Sequence, residues 1–140
     1  MASTEILRDS RQAKFLTKVV EWVKEAVTEG DESKIVEALE ELESQVTDID
    51  NAGDLDHVGG VDLVLELLTH PMAKVRQMAF WVVGTTVQSH SKMQEMLLAR
   101  GVLPKIMQPL GEKTQTNYPP TDSAYRNFIL VFGIHYLEDI

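Results

Sequence analysis

Apolar residues recur along this chain at spacings of three and four, and no stretch sustains the apolar–polar alternation of a strand. The clearest run is 13–27, "AKFLTKVVEWVKEAV". On a helical wheel Phe15, Leu16, Val19, Val20, Trp22, Val23, Ala26 and Val27 share one broad side, opposite Lys14, Thr17, Lys18, Glu21, Lys24 and Glu25. A stripe that wide is expected to pack against more than one neighbour. Ile35, Leu39, Leu42, Val46 and Ile49 predict a second amphipathic helix, beginning after Asp31. Shorter elements follow. "DNAGDLDHVGG" ends in a glycine break, "VDLVLELLTH" stops before Pro71, and Pro71 is placed to open the next helix, where its missing N–H costs nothing. "SHSKMQEMLLARG" offers Ser91 and Gln94 as a capping box before another glycine.

This punctuation repeats. A shift of 41 residues sets Ala38 on Ala79, Leu42 on Val83, Val46 on Val87, Leu55 on Met96 and Gly60 on Gly101 without a gap. A further unit starts at "GVLPKIMQPL" and continues in "SAYRNFILVFGIHYL", where Gly133 matches Gly84 once eight residues are inserted. A period near 41 with two or three helices per unit predicts an all-α, armadillo-like, right-handed superhelical solenoid of two to three repeats with an N-terminal helical cap. Residues 1–11 read as an N-terminal tail and 12–140 as a single helical domain, with a segment of a longer solenoid left open.

The stretch "AFWVVGTTVQ" falls on the long third helix of a unit, over about Met72 to Gln88. Val75, Ala79, Val82, Val83 and Thr86 form its expected core side, and Gln77, Trp81, Gly84, Thr85 and Gln88 lie within about 100° on the other. Third helices line the concave groove of an armadillo solenoid, so Trp81 is expected in that groove among adaptable polar neighbours, the make-up of a binding anchor. Gly84 costs about 1 kcal/mol against alanine in mid-helix and leaves room near the backbone. The competing reading packs Trp81 on the next repeat and uses Gly84 to relieve crowding. Repeat-equivalent positions add Glu40, Ser44 and Arg126 as secondary contacts.

Charge narrows the partner. The 140 residues carry a net charge of −9, and 29–56 alone holds eleven acids against Lys34, whereas 8–24 holds five bases and two acids. Phosphate neutralisation needs clustered Lys and Arg, which argues against nucleic acid. The acidic stretch is a solvated helix face or a docking surface for a basic partner. Apolar runs are far shorter than a membrane span, and the N-terminus has no signal-peptide core, so a cytoplasmic protein is the expectation. Without cysteine there is no thiolate chemistry. His57, His70, His90 and His135 are scattered, phosphate-loop and metal-helix motifs are absent, and no catalytic residue, metal or cofactor is expected. The apolar run Phe128, Leu130, Val131, Phe132 and Ile134 predicts either self-association through the C-terminal edge or marginal stability of the chain alone.

Several motifs then combine: Asp50-Asn51-Ala52 with Asp54-Leu55, Gly59-Gly60, Arg76 with Ala79, Trp81-Val82-Val83-Gly84-Thr85, Gln88 and Gln94. Together, over about 31–107, they resemble the armadillo-type nucleotide exchange factors of the 70 kDa heat-shock chaperones. Ordinary armadillo repeats put Asn at the Thr85 position, while the exchange factors follow this Gln with paired Asn where Ser89-His90 stands here. Family members are also longer, which reads as a fragment, a shortened groove or a divergent C-terminal cap. The resemblance implies a non-catalytic protein that clasps one lobe of the chaperone's ATPase domain in its concave face and favours ADP release. Trp81 would supply contact area, and Gln77, Thr85 and Gln88 hydrogen bonds. The alternative is a general armadillo adaptor for extended peptides. That function usually needs Asn along several third helices, where this chain offers Ser44 and Thr85.

Overall fold

The computed structural model describes residues 2–88 and 90–105, and their side chains from Lys14 onward. It contains α1 (Ala2–Glu29), α2 (Glu32–Val46), α3 (Ile49–Asp54), α4 (Gly60–Leu67), α5 (Ala73–Val87) and α6 (Ser91–Ala99), with no strand among the described residues. Both ends of α5 lie 41 residues after the corresponding ends of α2, and Gly101 lies 41 after Gly60, which opens α4. The sequence period is therefore a structural period, of the armadillo-like, all-α kind.

Local chemistry sets the element boundaries. Asp31 caps α2, its carboxylate accepting from the Lys34 N–H at 3.4 Å. Asp48 caps α3, accepting from the N–H groups of Asp50 at 2.8 Å and Asn51 at 3.3 Å. Before α4, Gly59 adopts φ 79°, a left-handed conformation that a side chain would strain. At neighbouring Gly60 a Cβ would collide with the Leu55 side chain, so this glycine is needed for close approach. Arg76, 5% exposed, binds the α4–α5 turn: its Nη1 donates to the carbonyls of His70 at 2.6 Å and Pro71 at 3.0 Å.

The core is continuous across both repeats. Helix α2 packs against α1 and α5, and α5 in turn carries α4 and α6. From α2 come Ile35, Ala38, Leu39, Leu42 and Val46, and from α5 Val75, Ala79, Val82, Val83 and Thr86, all buried as their periodicity predicts. Helix α5 also buries Met78, Phe80 and Val87, so its apolar arc is wider than expected.

Three expectations are corrected. Phe15 and Trp22, expected on the packing face of α1, are 49% and 38% exposed. The reason is one of flanks: α1 packs chiefly on α2, its buried residues are Leu16, Val19, Val20, Val23 and Ala26, and Phe15 and Trp22 fall by helical spacing at the edge of that arc. Ile49 does not extend the apolar row of α2. That helix ends at Val46, and Ile49 opens α3 with 56% exposure. The capping box at α6 does not form either. The cap is His90, whose Nδ1 accepts from the Met93 N–H at 3.3 Å, and Gln94 is buried, its Nε2 donating to the Val87 carbonyl at 2.8 Å. The Val87 carbonyl at the end of α5, which also accepts from the His90 N–H at 3.2 Å, takes the side chain that the box would have used. The C-terminal apolar run and the further unit lie outside the described residues.

His70 yields a pH prediction. Its Nδ1 accepts the Met72 N–H at 3.1 Å ahead of α5, a role open only to the neutral ring. Burial, then the Arg76 guanidinium, lowers its pKa below the ordinary 6.5. The unfolded chain therefore takes up this proton first as pH falls. The associated stability is complete above about 6.5 and is lost as pH falls through the folded-state value. The urea midpoint should drop between about pH 7.5 and 5.5, with a smaller drop in His70→Asn, which retains an acceptor that does not titrate.

Candidate partner-binding groove

The side of α5 away from the core carries Lys74, Trp81 and Gln88, all exposed, with Gln77 and Thr85 half-buried beside them. These positions lie three, four or seven residues apart, which sets them along one line of the helix. Trp81 is 43% exposed. A large aromatic held partly in solvent on a helix anchored by Phe80, Val83 and Val87 is a rigid contact surface. Gly84 also falls within this arc by spacing, but it is buried at the arc's flank, so its backbone is not open to an approaching partner in the free protein.

Helix α2 forms the opposing wall. Glu40 and Ser44 are exposed there, as the repeat register places them. The residue that reaches across is Glu43, whose Oε2 accepts from the Thr85 hydroxyl at 2.8 Å. Period alone pairs Thr85 with Ser44. A one-residue offset between neighbouring helices brings the adjacent carboxylate into reach instead. Thr85 thus spends its one hydroxyl donor within the protein.

At one end of the groove, Val46, Thr47, Ile49 and Ala52 meet Thr85 and Gln88 around a shallow depression, with Ile49 at its rim. At the other end, Glu32, Ser33, Val36, Glu37 and Glu40 face Lys74. The sequence reading missed Ile49, Glu43 and Lys74 as groove residues. Ile49 could have been found by noting that Thr47 and Asp48 end the preceding helix, which frees it from that helix's register. Arg126 lies outside the described residues.

The groove is thus an acidic wall facing an aromatic and amide-bearing one. Among the described residues no group of three or more His, Asp or Glu is arranged to hold a metal ion, and no helix is long and apolar enough to cross a membrane. Physically this is a candidate binding surface on a helical repeat.

The chain matches no family model. It is similar to several fungal proteins named Hsp70 nucleotide exchange factor. One is FES1 of Gibberella zeae, 32% identical over 98 residues that take in 65% of this chain and 46% of the relative. Another is fes-1 of Neurospora crassa, 33% identical over 103 residues, 69% of this chain and 42% of the relative. FES1 of Coccidioides immitis is 30% identical over 76 residues, 54% of this chain and 35% of the relative. The chain spans less than half the length of these relatives.

Proposed function

We propose that this chain is a non-catalytic co-chaperone that binds the ATPase domain of Hsp70 chaperones in the α2–α5 groove and promotes ADP release. The observation that carries the reading is the similarity to proteins named Hsp70 nucleotide exchange factor, joined to a groove in which Trp81 stands exposed. Trp81 supplies the anchor, Gln77 and Gln88 adaptable hydrogen bonds, and the acidic α2 wall orientation toward a basic surface. The setting for this activity is the cytoplasm.

No bond is made or broken by the protein itself. A ligand shifts an equilibrium only through its differential affinity for the two states. If the groove fits the nucleotide-free ATPase domain better than the ADP-bound one, linkage requires that the protein weaken ADP binding by the same factor. Stacked helices with a continuous core suit this task, because a rigid surface cannot fit both states equally. Affinity for an isolated Hsp70 ATPase domain should be measured with and without saturating ADP. Binding at least about tenfold tighter without ADP is expected, equivalent to about 1.4 kcal/mol of coupling. Equal affinity in the two conditions would refute the exchange role, and absence of binding would refute the partner.

A further inference from the structure

We propose, on the reading of the groove as the surface that meets the Hsp70 ATPase domain, that it receives a single arginine side chain between the Trp81 ring and the Glu43 carboxylate. Helices α2 and α5 run side by side in the same direction. Glu37 and Glu40 meet Lys74 near the start of α5, Glu43 meets Thr85 three turns later, and Thr47 meets Gln88 at the end. Trp81 falls between the first two of these contacts, one turn or about 6 Å before Thr85, so the wall it faces runs from Glu40 to Glu43. Helices packed against each other lie about 8–10 Å apart, so a group seated over the ring is within reach of the carboxylate.

The chemistry of this place selects a cation. Trp81 is 43% exposed, and the π face of an indole attracts positive charge. Glu43 is half-buried; the Thr85 hydroxyl holds its Oε2 at 2.8 Å, and its Oε1 has no hydrogen-bond partner among the described residues. Glu37, Glu40 and Glu43 make no ion pair among the described residues, although Lys74 stands at one end of the groove. Arginine fits better than lysine. Its planar guanidinium stacks on an aromatic face while its edge donates to a carboxylate, whereas an ammonium is a compact, strongly hydrated point charge. An acidic side chain would be repelled. An apolar one would leave the Glu43 carboxylate desolvated without a counter-ion once a partner covers the groove.

The site is tested first without Hsp70. N-acetylarginine methylamide is titrated into the full chain and the indole N–H signals are followed by NMR, that of Trp81 being assigned by its loss in Trp81→Leu. A saturable shift is expected at Trp81 and none at Trp22. Glu43→Gln should weaken it at least about fivefold with the thermal melt unchanged, since the amide oxygen still accepts from Thr85. Should that variant lower the melt, N-acetyllysine methylamide on the unaltered chain gives the readout, with a response at least about fivefold weaker than that of the arginine compound. Against the Hsp70 ATPase domain, Glu43→Gln should weaken binding about tenfold alone and less than about threefold in the Trp81→Ala background, because both residues hold one group. No saturable shift at Trp81, an equal shift in a folded Glu43→Gln, or an equal response to the lysine compound overturns the proposal. If the arginine shift appears as expected while Hsp70 does not bind, the arginine site stands and the partner is misread. If Hsp70 binds Glu43→Gln as tightly as the unaltered chain, the partner stands and the arginine site falls.

Discussion

Trp81→Ala is expected to weaken binding to the Hsp70 ATPase domain by about 2 kcal/mol or more, roughly thirtyfold in Kd, and to leave the thermal melt nearly unchanged. The indole is 43% exposed at the centre of the outward line of α5, so its removal opens no cavity in the core. Exposed substitutions of that kind typically change stability within about ±0.5 kcal/mol. The binding loss follows from the position: Trp81 is the one large apolar side chain on this line of α5, flanked by Gln77, Thr85 and Gln88. Titration calorimetry on the folded variant reads the effect. A Kd unchanged within threefold would move the partner surface elsewhere.

Phe80→Ala should have the opposite profile. Phe80 is 0% exposed and among the largest fully buried side chains. Truncating a buried Phe costs about 3–5 kcal/mol through lost transfer energy and the cavity left behind. Small domains hold only about 5–15 kcal/mol in total, so the loss takes a large share. The urea midpoint should fall accordingly, while whatever fraction remains folded retains its affinity for the ATPase domain. Neighbours in sequence, Phe80 and Trp81 thus separate stability from binding. Loss of affinity without loss of stability in Phe80→Ala would contradict the placement of both.

Most of the repeat architecture was legible because helix period and glycine punctuation are written locally. Asp31, Gly59-Gly60 and the 41-residue shift each mark a boundary that the structure keeps. The core side of α5 was legible for the same reason, since Val75, Ala79, Val82, Val83 and Thr86 share one side at helical spacing. What a wheel cannot supply is which flanks of an apolar stripe find a neighbour. It placed Phe15 and Trp22 with Leu16 and Val23, and only the way α1 packs on α2 separates them. Nor can it supply offsets between helices. Thr85 is on the outward side, yet its hydroxyl is held by Glu43, which repeat register alone would pass over. The same limit applied to Gln94, whose buried bond to the Val87 carbonyl depends on how α6 turns back on α5. Because of the Glu43 contact, Thr85→Glu would set two carboxylates against each other and perturb α2–α5 packing. Trp81 is therefore the cleaner probe of the groove.

The central claim is tested most directly by the release of a fluorescent ADP analogue from purified Hsp70, followed by stopped flow against increasing concentrations of this protein. The account predicts that the release rate climbs with concentration to a plateau at least tenfold above the intrinsic rate. It also predicts that Trp81→Ala needs roughly thirtyfold more protein to reach half of that plateau, in line with its lost contact energy. A release rate that stays at its intrinsic value while the protein is demonstrably bound to Hsp70, or acceleration that Trp81→Ala leaves untouched, would contradict it.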